Sequence, residues 1–436
     1  MRIRILILLI FSLLMFATTT ISSPVAKREF VESVATFVCP AKNGDTSGSI
    51  QLGKSGVLSA PIEKKNRELK KSKSRVLPLT SKARVVAGES PTPLLLSAKS
   101  GTWLALSQCS SSAGEFWFIG GTADVSSLGY FQFTNENLGK AIIDVELWSE
   151  DGNESTRTLT IPPRSTKNYS LTTFMPGKKL TAFHLLSRSG LVSVALFDER
   201  RKGLTAYGGD YIAPNPPPSK KVLIAGIPGV KFVKKSKITS QRIRLFVPGE
   251  SDAVIQVNYI SPTGVFAPVG LDSLRVPAQK VVEVDLSDLP KDRLFALQVL
   301  ASEPVIASVL TRGMFNNQRE LVWSSSVEAT RGEVMALAER SGYLSIVSNA
   351  PEVSFTVVKD RGKKSVVTLP IDAMAIWKVP DTVHEIQFKA TAEPTYLALA
   401  IKSISGVATT SLAPAQSKEL TALPVLDSTL YIPATR

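Results

Sequence analysis

Histidine is almost missing from this sequence: His184 and His384 are the only two, 200 residues apart. Zinc sites draw three or four ligands from His, Cys and carboxylates at close spacing, and neither histidine has such company. A Ser-His-Asp triad needs a poised serine, and no Gly-x-Ser-x-Gly elbow occurs. Both histidines therefore read as residues of strands. Cysteine is as scarce, with only Cys39 and Cys109, which excludes a metal cluster held by four thiolates and a dense disulfide scaffold. Gly120-Gly121 and Gly226-Ile227-Pro228-Gly229 lack the Gly-Lys-Ser/Thr of a phosphate loop. Aromatics are few, and Trp117, Trp148, Trp323 and Trp377 fall in or near strand-like stretches, where a core role is expected. Helical heptads are absent. No catalytic residue, metal ligand or cofactor is assigned.

Acidic side chains are in deficit, 37 against 51 Lys and Arg. The densest acidic stretch is Asp144, Glu146, Glu150, Asp151 and Glu154. Asp144 and Glu146 are two apart on a strand and share its outer face, while the others sit in a turn. A glycosidase needs two carboxylates facing each other across a cleft, so a solvated face is expected here, with a weak calcium site as the alternative.

What is present is a turn-rich chain that can fold. It has 436 residues, 44% hydrophobic and 20% charged, with 27 glycines and 27 prolines. That length calls for two to four domains. Residues 1–26 carry Arg2 and Arg4, an apolar run from Ile5 to Ala17 and a small polar stretch. This is the pattern of a signal peptide, and an uncleaved N-terminal membrane anchor fits the same residues. No other stretch approaches the ~20 apolar residues of a spanning helix. In an exported chain the two cysteines are expected to form one disulfide, Cys39–Cys109.

The positive charge is concentrated in two segments. Glu63 to Arg75 holds seven Lys and Arg, and Lys220 to Arg244 holds eight with no acid. For an exported protein the natural counterparts are an anionic cell-wall polymer, a membrane surface or another envelope protein, not nucleic acid. The candidate contacts are Lys64, Lys65, Arg67, Lys70, Lys71 and Lys73 in the first segment, with Lys231, Lys234, Lys235 and Lys237 in the second. The bland alternative is a solvated loop and a strand edge that lysine protects from pairing.

Self-similarity organises the chain. Ile142–Leu147 matches Val254–Tyr259 at an offset of 112, and Gly152 matches Gly264. The offset drifts to 115 and 114 further on, as variable turns would make it. A shorter third copy matches Val353–Val357 to Ile255–Tyr259. Strands alternate apolar and polar residues, as a sheet with one buried face requires. The expected architecture is all-β: tandem immunoglobulin-like β-sandwich repeats at 116–213, 219–330 and 333–412, after a β-rich N-terminal module at 27–115. Pro214-Asn215-Pro216-Pro217-Pro218 is a semi-rigid spacer, and 413–436 is a C-terminal tail.

Cys39-Pro40, Cys109, Phe116-Trp117-Phe118-Ile119-Gly120-Gly121, Gly208-Gly209-Asp210-Tyr211-Ile212-Ala213-Pro214, Ile224-Ala225-Gly226-Ile227-Pro228-Gly229 and Leu245-Phe246-Val247-Pro248-Gly249 together carry a resemblance. Over residues 35–330 the sequence resembles an actinobacterial family of exported proteins that bears only a placeholder, unknown-function label. The resemblance implies an envelope protein of tandem β-sandwiches and implies no activity. The expected function is a non-catalytic envelope scaffold with a basic binding surface. The alternatives are a glycan-acting enzyme with its site between the N-terminal module and the first repeat, and a structural stalk.

Overall fold

The computed structural model describes residues 36–414, apart from 64–67, 88–90, 233–235, 287, 290–292, 316, 331, 333, 338–341, 390 and 404–405. The expectations for residues 1–26, for Lys64, Lys65, Arg67, Lys234 and Lys235, and for the tail past Pro414 lie outside the described residues. Among the described residues the chain is nearly all-β, with one four-residue helix, Leu171–Phe174, and a 3-10 turn at Asp360–Gly362. No helix among them is long and apolar enough to cross a membrane.

Alternation decides the layers. In Ala141–Ser149 the side chains of Ala141, Ile143, Val145 and Leu147 are buried while Ile142, Asp144 and Glu146 are part-exposed. Ala253–Ser261 has the same nine-residue length and nearly the same burial sequence. Each strand runs into a tight hairpin turn closed by a glycine of positive φ, Gly152 and Gly264. Glycine takes that conformation without a Cβ penalty.

Residues 36–108 form two four-stranded sheets. One runs in the order Thr36–Cys39, Arg84–Ala87, Leu58–Pro61, Lys70–Lys71. The other runs Val76–Pro78, Ser47–Gln51, Leu94–Lys99, Trp103–Gln108. The first basic segment, expected as a solvated loop, is in part a strand, since Lys70 and Lys71 pair with Ser59 and Leu58 at the sheet edge. Cys39 and Cys109 form a disulfide across 70 residues.

Residues 115–212 form two more sheets around Phe118, Phe131, Phe133 and Phe183, none of which is exposed. In the next segment, Leu294–Phe315 is one strand of 22 residues, where sequence patterning predicts two, Leu297–Val299 and Pro304–Leu310. Its first part pairs with Ser219–Pro228 and Ala253–Ser261, and its second with Ser236–Phe246 and Gln318–Ser325. Pro304 sits where the ladders change, between Ala301, which pairs with Ile255, and Val305, which pairs with Ser219. A residue without an N–H is tolerated at such a point, so one strand passes from one layer to the other. Residues 334–411 form the last two four-stranded sheets.

These layers do not form a simple row. Leu94, Leu96, Leu104 and Leu106 of the N-terminal sheet share one apolar core with Leu344, Ile346, Leu397 and Leu399 near the other end of the chain. Thr92 also bridges to Met335. A linear stalk, in which each unit touches only its neighbours in sequence, does not have this contact.

Candidate functional site

Of the predicted basic residues, Lys70, Lys71 and Lys73 are exposed and line one groove with Arg84, at the edge of the first sheet. Arg84 reaches Ser59 Oγ through Nη1 at 3.3 Å, while its buried Nε has no partner among the described residues. Glu63 and Glu68 share the groove. Glu63 is paired with Lys82 at 2.6 Å, and Glu68 lies 3.8 Å from Lys70. Lys231 lies in the connection between Ser219–Pro228 and Ser236–Phe246 and Lys237 in the second of these strands; both are exposed, and neither lines this groove. Of the second basic run, Arg244 departs from the solvated edge that sequence suggested. It is 1% exposed, donates to Gly121 O at 2.6 Å and to Glu283 Oε1, and stacks over Trp323.

Both histidines are in strands, as expected. His184 lies between Glu146 at 2.7 Å and Glu115 at 2.9 Å, stacked on the Trp117 ring at 3.8 Å. His384 meets Asp360 at 2.8 Å. No group of three metal-ligating side chains occurs among the described residues. The acidic stretch is occupied: Asp144 accepts from Thr158 and Arg188, Glu150 accepts the backbone N–H groups of Lys179 and Leu180, and Asp151 and Glu154 bind Lys178. Trp117, Trp148 and Trp323 are buried.

Sequence reading missed the centre of the molecule. Asp210 and Glu320 are 0% and 1% exposed. Asp210 accepts backbone N–H groups from Trp323, Tyr211 and Leu106. Glu320 accepts those of Leu104, Leu321 and Gly209. Two carboxylates thus join the strands Trp103–Gln108, Thr205–Ile212 and Gln318–Ser325, which come from three different segments and share no ladder. Asp198 lies beside them, bound by Arg200 and by Trp323 Nε1 at 3.0 Å. Burial pushes the Asp210 carboxyl well above its usual range, against its N–H donors. Burial and then the charge of Asp210 do the same to Glu320. Burial alone would raise Glu283 too, but the Arg244 guanidinium holds it below the usual range.

Glycine makes room for this arrangement. A Cβ on Gly406 would stand 2.2 Å from Glu320 Oε2, and one on Gly208 would stand 2.4 Å from the backbone nitrogen of Leu321. Gly208-Gly209-Asp210 was visible in sequence only as part of the motif that carries the family resemblance. No spacing rule connects it to Glu320, 110 residues later.

Close by lies a cavity of about 190 Å³. Phe37 and Gln108–Ser111 bound it on one side and Glu115–Trp117 on another. The spacer Ala213–Pro217, the segment Ser326–Glu328 and the pair Ala413-Pro414 also line it. This is the boundary between the N-terminal module and the following sheets where sequence reasoning put an alternative site.

Comparison with known proteins adds a family. A family of unknown function (DUF5719) matches residues 96–372. No curated protein matches. Among solved structures, the chain is similar to a Thermotoga maritima protein titled "1070" at 12% identity, covering 25% of this chain and 93% of that one, with a TM-score of 0.21. A tetra-tandem repeat from the extending region of a large adhesion protein aligns at 10% identity, over 87% of this chain and 98% of that one, with a TM-score of 0.11. A Streptomyces avermitilis alpha-L-rhamnosidase aligns at 6% identity, over 87% and 57%, with a TM-score of 0.16. At these scores the three carry no argument about this chain.

Proposed function

The chain belongs to this family of unknown function, and we propose that it is a non-catalytic, exported scaffold of tandem β-sandwich units whose basic groove engages an anionic polymer or surface of the cell envelope. The groove of Lys70, Lys71, Lys73 and Arg84 carries the reading. Four cations against two carboxylates leave it net positive, and one of those carboxylates, Glu63, is paired with Lys82 outside the groove lining. The buried Nε of Arg84 has no acceptor among the described residues, and arginine suits phosphate and carboxylate groups. The matching strands Ala141–Ser149 and Ala253–Ser261 support the tandem units. The disulfide supports passage through an oxidising compartment. The N-terminal apolar segment would direct export or hold the chain at the membrane.

The test is retention of the purified protein on anionic wall polymer and on anionic-lipid vesicles across a salt series. Replacing Lys70, Lys71 and Lys73 by Gln should weaken binding by ~1 kcal/mol each, and salt should weaken the wild type more than the variant. Binding that ignores both salt and these substitutions would refute the reading.

A further inference from the structure

Two aliphatic side chains stand fully in solvent at one end of a sheet, Val125 at 102% and Leu204 at 103% exposure. Separate segments bring them there. The strand Ser193–Lys202 turns through Gly203, at φ +59°, and Leu204 into the strand Thr205–Ile212, with Lys202 opposite Thr205. Residues 125–128 flank the other edge of the first strand. Leu128 N donates to Glu199 O, Ser127 bridges to Arg200, and Arg201 N donates to Ser126 O. Val125 is therefore beside the turn that carries Leu204, and the part-exposed Leu128 is on the same segment.

Single exposed aliphatics are ordinary; the charge around this pair is not. Arg201 and Lys202 are exposed and have no carboxylate partner among the described residues. The carboxylates nearby are engaged. Asp124 accepts from Ser126 N at 2.7 Å and from Ser126 Oγ at 2.6 Å. Glu199 binds Lys99 at 2.9 Å, and Asp198 binds Arg200. A further exposed cation, Arg319, lies over the half-buried Tyr207 ring at 4.6 Å, on the strand that leaves the turn. Another loop supplies the contrast. Val269 is just as exposed, at 103%, beside the part-exposed Val265 and Phe266, yet residues 261–274 hold no Lys or Arg.

Aliphatic side chains projecting among cations match a partner that is anionic at its surface and apolar just beneath. An anionic lipid bilayer is layered in that way. We propose that this sheet end docks on an anionic bilayer, with Leu204 and Val125 entering the acyl boundary and Arg201 and Lys202 meeting the headgroups. Tyr207 is of the residue type that settles at headgroup level. This inference does not rest on the basic groove, whose residues belong to another sheet.

A probe placed at the tip tests it in the full chain, whatever else attaches the protein to the vesicle. Both native cysteines are in the disulfide, so Leu204→Cys can be labelled alone with an environment-sensitive fluorophore. Val269→Cys gives an equally exposed control. Phosphatidylglycerol vesicles should blue-shift and brighten the label at 204. The label at 269 should not respond, and neither label should respond to pure phosphatidylcholine. In the 204-labelled protein, Arg201→Gln and Lys202→Gln should each raise the lipid concentration at half-signal by about fivefold. Val125→Ser should raise it by about tenfold. Melting temperatures of the lipid-free variants should match the wild type. Three results would overturn the proposal. One is a 204 label that stays in water at saturating anionic lipid. Another is an equal response to neutral vesicles, which leaves the cations without a role. The third is a blue shift in lipid-free protein that grows with protein concentration, which means that a second copy of the chain covers the tip.

Discussion

Gly406→Ala tests whether Glu320 holds the centre of the molecule together. Gly406 has φ +140°, where an L side chain is strained, and its added Cβ would lie 2.2 Å from Glu320 Oε2, against an ordinary contact of 3.4–4 Å. The carboxylate must retreat by about an ångström. Its bond from Leu104 N is already 3.2 Å long and would break. Backbone strain of this kind costs ~1–3 kcal/mol, and an orphaned buried N–H costs a further ~1–3 kcal/mol, so a loss near ~4 kcal/mol is expected. Urea unfolding measures it, and amide exchange should show Leu104 N–H losing protection before Leu321 N–H. Glu320→Asp shortens the side chain and withdraws the oxygen, so Gly406→Ala in that background should cost less than in the wild type. A double-mutant cycle isolates that coupling. A cost under ~1 kcal/mol, set against the strain range alone, or a coupling of zero, would refute the assignment of Glu320 as the tie.

Three further outcomes follow from the same geometry. Asp210 and Glu320 have folded carboxyls raised above their unfolded values. Their contribution is therefore full below the ordinary carboxylate range and is lost as pH rises through the raised values. Thermal melts between about pH 4 and 9 should show stability declining as pH rises from the ordinary carboxylate range, and a steady rise would contradict it. Glu283, held below its usual range by Arg244, acts oppositely and only at the acid end. Arg244→Ala leaves Glu283 and Gly121 O without their buried partner and should cost ~3–5 kcal/mol by chemical denaturation. Reducing the Cys39–Cys109 bond, which closes a loop with a sequence separation of 70, should cost ~4 kcal/mol on the chain-entropy account, measured as the shift in urea midpoint with and without reductant.

Local rules made much of this fold legible. Period-2 alternation placed Ala141–Ser149 and Ala253–Ser261, and turn chemistry placed the hairpins at Gly152 and Gly264. Cysteine count in an export-type sequence anticipated the disulfide. Lys70, Lys71 and Lys73 were visible as a charge run, but the Arg84 that shares their groove was not, because it arrives from a separate strand of the sheet. Pro304 looked like the start of a strand and is instead a ladder-free point inside one, because ladder partners are chosen by strands far away in sequence.

The amino-acid sequence by itself determined most of the strands and hairpin turns, which faces are apolar and that two cysteines are available to pair. These depend on neighbours two to five residues away, so a linear reading reaches them. The tertiary structure alone decided that Leu94–Leu106 packs against the far end of the chain. It also decided that Asp210 and Glu320 gather N–H groups from three segments, and that Gln108 and Ser111 line one cavity with residues from distant parts of the chain. Each of these joins residues through space with no periodic signal between them, and the burial that makes them matter exists only once the layers have closed.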